Sequence, residues 1–518
     1  MSKKHFIGID LGTTFSAVSV FDETGRPQIV TNMDGKNITP SCVAKIDDKY
    51  VIGEEARKVW AQTSEGGRID TGEAAARFKR QMGTDKKYSI GGKKFVPMEL
   101  SAMVLKKLVQ DAEQRLGGKI EGAVVTVPAN FGHEARDATK SAVEQAGLKF
   151  LGLNDEPSAA ALCYVFEEKI DESGVYAVYD LGGGTFDISI IRVDGYNVEV
   201  LATAGLLELG GDNFDHALHE IVSDKYKKET GKSMDPMDYD FNEVEEDKKS
   251  LSRREKINVK VGKNLIEVSR KEFEEKIRPL VAQSVGLCKA AIRKAKAKGA
   301  SQSDIKGVLL AGGSTRIPLV LKSIKNIFQL EQEPVEAENV DEVVSKGAAV
   351  YAGHLVNSDN KRQGGESGLS RIQEQSIQKI SLTEISTMSF GTTVETDGGK
   401  IINDVLISKG TKLPCSIKKT YGTVADGQTG VRCDVTEAMQ DESNLEYVKV
   451  LWEGTLKLPA PHGPKGRNVP VTFSYDTNQI MHCVFGDEQS GEKKEVSLSM
   501  TDSAKGGGSH DIKKLSVE

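Results

Sequence analysis

Two aspartates occupy the same place in two copies of one short pattern. The first copy reads FIGIDLGTTF, with Asp10, Gly12, Thr13 and Thr14, and continues as the alternating stretch SAVSV. The second reads YAVYDLGGGTFD, with Asp180, Gly182, Gly183, Gly184, Thr185 and Asp187, and continues as ISII. Each copy is an apolar strand, a glycine-rich turn beside an acid, and a second strand. Glycine lets backbone N–H groups approach phosphate oxygens closely, so two such hairpins face to face would clamp a polyphosphate. Asp10 and Asp180 would then offer oxygen to a magnesium ion, directly or through water. One copy alone reads as a plain β-hairpin. The duplication points to a two-lobed nucleotide-binding fold.

A third glycine element, VLLAGGSTRIP, brings a buried strand to Gly312 and Gly313 and then into a helix start. Backbone N–H groups there favour an anion or a ribose edge, and Pro318 suits the first helical turn. Standing alone it reads equally well as an ordinary strand-to-helix turn. Lys79 is a cation suited to the charge that develops on a transferred phosphoryl group. Glu156, at a strand-to-helix junction, is placed to hold magnesium-bound water. Either residue in isolation reads as a surface charge.

The elements that must position these groups follow from pattern. Strands and helices alternate up to about residue 355, the signature of an α/β architecture. Helices are predicted over 98–116, 134–146, 213–228, 273–298 and 319–329, and strands over 122–128, 151–154, 197–204 and 307–311. From about 385 to 500 the pattern changes to short strands between turn residues, which predicts a compact β-sandwich. The polar stretch before it, from 357, reads as a linker. The expected domains are 1–356, a linker over 357–384, a sandwich over 385–502 and a flexible tail over 503–518.

Composition narrows the function. The 518 residues suit about three core-forming units, and 38% hydrophobic with 28% charged residues fits a globular protein. A net charge of −7 argues against a general nucleic-acid-binding role. The one basic run, KAAIRKAKAK over 289–298, reads as a solvated helix face. No apolar stretch reaches the roughly 20 residues of a membrane span, and the N-terminus has no apolar leader. A cytoplasmic location and no membrane partner are expected. The six cysteines form no CxxC pair and read as buried apolar residues in a reducing compartment. His216 and His219, near Asp212 and Asp215, read more simply as part of a polar helix start than as metal ligands.

Taken together, the strings IGIDLGTTFSAVSVF, AVVTVPANF, NDEPSAAAL, VYDLGGGTFDISII, LATAGLLELGGDNFD, GVLLAGGSTRIPLV and DEVVSKGAAV resemble the seventy-kilodalton heat-shock proteins, the DnaK-type chaperones, in family order over residues 5–352. A weaker similarity continues to about 501. The resemblance implies an actin-like ATPase domain of duplicated ribonuclease-H-like fold, followed by a small all-β peptide-binding sandwich. It implies ATP or ADP with Mg2+ and K+ as cofactors. Gly12, Thr13 and Thr14 match the first phosphate loop, and Gly182, Gly183, Gly184 and Thr185 the second. Lys79 matches the catalytic lysine. Glu156, Asp180 and Asp187 match acids that organise magnesium and water, with Asp10 beside them. Gly312, Gly313, Ser314, Arg316 and Asp341 match the adenosine side, and Glu245, Lys248 and Ser252 its opposite wall. In the sandwich, Val394, Tyr421, Val431 and Cys433 match an apolar peptide socket. Pro128, Arg136, Leu382 and Glu384 match the relay between nucleotide and peptide. Implied partners are extended or unfolded polypeptide, a J-domain co-chaperone and a nucleotide-exchange factor.

The chain departs from that family in four places. No long helical lid follows the sandwich, which predicts fast peptide release. The linker stretch ISLTE, 380–384, carries Ser381 and Thr383 where the family is apolar, which predicts weaker docking and weaker coupling. Gly152 and Asp155 replace an arginine and an asparagine that meet J-domain partners. Asp397 replaces an apolar residue of the arch beside the peptide site. The expected function is an ATP-dependent chaperone for extended apolar segments. A weakly cycling or non-hydrolysing regulator that holds ATP as a structural ligand is the alternative, and a small-molecule kinase on the same scaffold a third.

Overall fold

The computed structural model describes residues 4–63, 72–170, 172–363, 369–477, 480–498 and 510–518. They form two compact units, one of residues 1–129, 138–382 and 508–518, the other of residues 130–137 and 383–507.

The first unit contains the same wiring twice. In one sheet the Lys4–Asp10 strand pairs antiparallel with Phe15–Phe21, which pairs antiparallel with Pro27–Ile29. On its other side it runs parallel to Lys119–Val127, and that strand parallel to Lys149–Asp155. In the second sheet Gly174–Leu181 pairs antiparallel with Phe186–Asp194, which pairs antiparallel with Asn197–Leu206, and Ile305–Ala311 lies parallel on the other side. Strands buried on both faces read as apolar runs: Ala123, Val124, Val125 and Val127 are fully buried in one sheet, Ala177, Val178, Val308 and Leu309 in the other. The Glu156–Phe166 and Val343–Gln363 helices pack closely. A Cβ on Gly347 would lie 1.7 Å from the Ala159 carbonyl oxygen, so only glycine fits that crossing.

Local signals account for the helix boundaries. Ser269 and Glu272 form a capping box that starts the Arg270–Lys296 helix. The predicted helices correspond to Pro97–Leu116, His133–Gln145, Gly211–Thr230, Arg270–Lys296 and Pro318–Phe328. The helices Glu54–Thr63, Phe241–Arg253, Val343–Gln363 and Arg371–Ile377 were not among those predicted. Glu54–Thr63 and Phe241–Arg253 are rich in charged residues, which mask their few apolar positions. No helix among the described residues is long and apolar enough to cross a membrane.

Two stretches differ from expectation. The polar stretch from 357 begins inside the Val343–Gln363 helix, and a further helix spans Arg371–Ile377. The Ser381–Thr383 strand then joins the outer edge of the second sheet, beside Asn197–Leu206. Ser381 N–H donates to the Tyr196 carbonyl (3.3 Å), and Ile377 and Ile380 are buried just before it. Strand addition uses the backbone, so Ser381 does not prevent it. The tail is the second case. Residues 503–509 lie outside the described ones, but residues 510–518 are ordered against the first unit rather than loose, as described below.

The second unit contains two four-stranded antiparallel sheets, in the orders Ile401–Ile407, Ser389–Glu395, Gly430–Ala438, Lys449–Lys457 and Cys415–Gly422, Asn468–Tyr475, Met481–Gly486, Lys493–Ser497. The Asn468–Tyr475 strand alternates: Val469, Val471, Phe473 and Tyr475 are buried, and the residues between them more open. That period of two is what a strand covered on one face requires. These side chains share a core with Phe390, Ile407, Val435, Met481 and Phe485.

Candidate functional site

The two glycine hairpins of the first unit face each other. A Cβ on Gly183 would lie 2.0 Å from Thr14 Oγ1, and one on Gly184 2.4 Å from Thr13 Cγ2. Such contact leaves room only for backbone, which presents amides rather than side chains to the cleft. Gly182 N–H donates to the Thr185 carbonyl (3.2 Å) and closes the second turn.

Acids and one lysine converge below these turns. Lys79 sits in the short 3-10 helix Phe78–Gln81 and is 4% exposed. Its Nζ lies 2.5 Å from Glu156 Oε1, at the start of the Glu156–Phe166 helix. Asp180 and Asp187 stand directly opposite each other across their hairpin. Thr126 Oγ1 donates to Asp10 Oδ1 (3.1 Å). Burial, and then the Glu156 charge, push the Asp10 carboxyl up to about 7. The same two causes raise Asp180 and Asp187 above the usual carboxylate range. Asp187 Oδ1 is buried with no hydrogen-bond donor among the described residues. A pocket holding several buried carboxylates against one lysine is short of positive charge. It fits a cation. Among the described residues no three His, Cys, Asp or Glu side chains are grouped to hold a metal by themselves.

A cavity of about 400 Å³ adjoins the hairpins, lined by Thr14, Phe15, Gly183, Gly313 and Asp341 at one end. Its wall is the Phe241–Arg253 helix, capped by Asp240, which presents Glu245, Lys248 and Ser252 one turn apart. Ser314 and Arg316 close the other side. Ser314 Oγ donates to the Gly182 carbonyl (3.0 Å), and Arg316 pairs with Asp341 (2.8 Å). Pro318 opens the following helix, as its place in the sequence suggested.

Several residues of this cleft were not singled out as site residues from sequence. Lys248 pairs with Asp215 (2.7 Å), Arg57 with Glu245 (2.5 Å), and Arg77 and Arg80 with the buried Asp212 (2.6 and 3.3 Å). Burial pushes Asp215 up to about 6 despite Lys248 beside it. His216 and His219 pack against Phe241, and His219 also stacks on Tyr239, so both act as ring surfaces.

In the second unit Tyr421 and Val431 pack half-buried against the sandwich core, and Cys433 is part of that core at 1% exposure. Tyr421 Oη donates to Asp404 (2.8 Å). Val394, also half-buried, pairs with Ile402 across its hairpin. Cys433 thus lies deeper in the sandwich than Tyr421 and Val431. Asp397 is exposed in the hairpin turn. Of the relay residues, Pro128 is buried, and Arg136 is buried with Nε donating to the Phe131 carbonyl (3.0 Å). Leu382 is half-buried in its strand, and the buried Glu384 accepts from Leu413 N–H (2.9 Å) through its carbonyl. Gly152 and Asp155 are both buried in the Lys149–Asp155 strand.

The family model described as Hsp70 protein matches residues 6–518. The chain is 35% identical to the chaperone protein DnaK of Thermotoga neapolitana over 530 aligned positions, covering 96% of this chain and 81% of the relative. Identity and coverage are the same for the DnaK proteins of Thermotoga petrophila and Thermotoga maritima. The duplicated sheet, the opposed glycine turns and the matched length together place this chain in the Hsp70 family.

Proposed function

We propose that the protein is an ATP-dependent chaperone, hydrolysing ATP in the cleft of its first unit and holding extended apolar segments on its sandwich. The observation that carries the reading is the pair of opposed glycine hairpins with Lys79, Glu156, Asp10, Asp180 and Asp187 gathered beneath them. The backbone amides of residues 12–14 and 182–185 position the phosphate chain, and the 400 Å³ cavity takes the adenosine between Glu245, Lys248 and Ser252 and the Gly312–Arg316 side. Asp10, Asp180 and Glu156 would hold Mg2+, largely through its water shell, since one or two carboxylates plus phosphate oxygens suffice for this ion. Bound there, the ion supplies neutralisation of phosphate charge. Asp187, with one oxygen free of donors, orients the attacking water, and Thr185 anchors the turn beside it. Lys79 meets the charge that develops on the γ-phosphoryl oxygens once it exchanges Glu156 for phosphate.

The same Lys79–Glu156 pair favours the second reading, a weakly cycling regulator, because there the lysine charge is already spent on a carboxylate. Single-turnover ATP hydrolysis, measured with and without an apolar peptide, separates the two. Turnover stimulated by peptide is expected, and Lys79→Ala should slow it about a hundredfold or more while ATP still binds. Tight ATP binding with no turnover in the parent would establish the regulator instead. A J-domain co-chaperone and an exchange factor fit the chaperone cycle, although a J-domain finds no side chain at Gly152 and a buried one at Asp155.

A further inference from the structure

The Lys49–Ile52 strand is the outer strand of a three-stranded sheet, beside Cys42–Ile46 and then Ala74–Ala76. An outer strand leaves a row of backbone donors and acceptors to be covered. Residues 510–518 cover this one. Tyr50 N–H donates to the Ser516 carbonyl (3.4 Å) and Ile52 N–H to the Glu518 carbonyl (2.9 Å), while Glu518 N–H donates back to the Tyr50 carbonyl (2.9 Å). Val517 lies across from Tyr50 in parallel register.

The neighbouring Pro97–Leu116 helix supplies the rest of the groove. Lys106 Nζ donates to the carbonyls of Ile512, Lys513 and Leu515 (3.2, 3.1 and 2.9 Å), which crowns the single turn Ile512–Lys514. The buried Glu99 accepts His510 N–H (2.6 Å), and the His510 ring lies 4.6 Å from that of Phe95. Ile512, 1% exposed, and Val517, 7% exposed, are the apolar anchors. Lys49 pairs with Glu518 (2.6 Å). Most of these bonds go to the main chain of residues 510–518. Core packing works through side chains; recognition of a peptide by strand addition works through the main chain, with pockets for alternate side chains.

We propose that this groove is a peptide-docking site on the first unit, separate from the sandwich, and that the chain's own residues 510–518 are its ligand. The site takes a single turn followed by an extended stretch, with apolar side chains at the places of Ile512 and Val517 and an acid next to the second. Hydrogen exchange on the full chain tests this. The double variant Ile512→Asp with Val517→Asp should speed amide exchange over residues 49–52 by roughly tenfold or more. Exchange over the Lys119–Val127 strand should stay unchanged, which shows that the unit remains folded. A synthetic peptide of residues 508–518, added to the double variant at roughly millimolar concentration, should restore the protection. Lys106→Ala should weaken protection in the same segment. Unchanged exchange over 49–52 in the double variant, or a peptide that restores nothing, would overturn the proposal. A parent that runs as a dimer, and becomes a monomer in the double variant, would assign the groove to a second copy and overturn the intrachain assignment.

Discussion

Lys79 owes its position to chemistry that a single residue cannot arrange. It is buried, paired to Glu156, and close in charge to Asp10, Asp180 and Asp187, whose carboxyls its presence pulls down while burial pushes them up. A residue-scale counterpart lies in the sandwich. Arg467 Nε donates to Asp487 Oδ1 (2.8 Å) and Nη2 to Oδ2, while Nη1 reaches the carbonyls of Pro459 and Pro461. The Arg467 hydrogen bond holds the Asp487 carboxyl well below the usual range, against the opposing effect of burial. An acid with a depressed folded-state pKa stabilises the fold above its ordinary pKa and loses that contribution as pH falls. Asp487→Asn should therefore lower the unfolding temperature by a few degrees at neutral pH. The gap between parent and variant should narrow as the pH falls from about 4 to about 2, and go on narrowing below that. A gap that stays constant over that interval would show that the ion pair is not its source.

At the scale of elements, the opposed hairpins come this close because glycine has no side chain. Gly183→Ala puts a methyl group against Thr14, so the two turns must separate and their amides no longer converge on one phosphate chain. ATP affinity is expected to fall by roughly tenfold or more, read by titration calorimetry, with the far-ultraviolet spectrum unchanged. Full affinity in this variant would mean that the turns do not act together. These hairpins were legible in the sequence because everything that makes them is local: an apolar strand, glycines, an acid, an alternating strand. The pairs that brace them were not. Arg57 and Glu245 are 188 residues apart, and nothing near either one in the chain names its partner. The docked tail was hidden for another reason. Ile512, Leu515 and Val517 are sparse among polar residues, and the bonds that hold the segment are mostly to its backbone, which has no side-chain signature.

At the scale of the whole molecule, the chain leaves the first unit through the Ser381–Thr383 strand on its way to the sandwich. That strand is fixed at Ser381 by an amide that proline lacks and by the Ser381 hydroxyl on Asn197 (2.7 Å). Ser381→Pro removes the bond to Tyr196 and should cut peptide stimulation of ATP turnover to about half or less, leaving basal turnover unchanged. Equal stimulation in parent and variant would show that the strand carries no signal.

The small sheet under the tail has one further property. Its far strand, Ala74–Ala76, runs directly into Arg77 and the Phe78–Gln81 turn that holds Lys79. One edge of the sheet thus receives residues 510–518 and the other delivers the lysine. Thermodynamic linkage makes the traffic between them reciprocal: whatever factor tail release imposes on nucleotide affinity, nucleotide imposes on tail release.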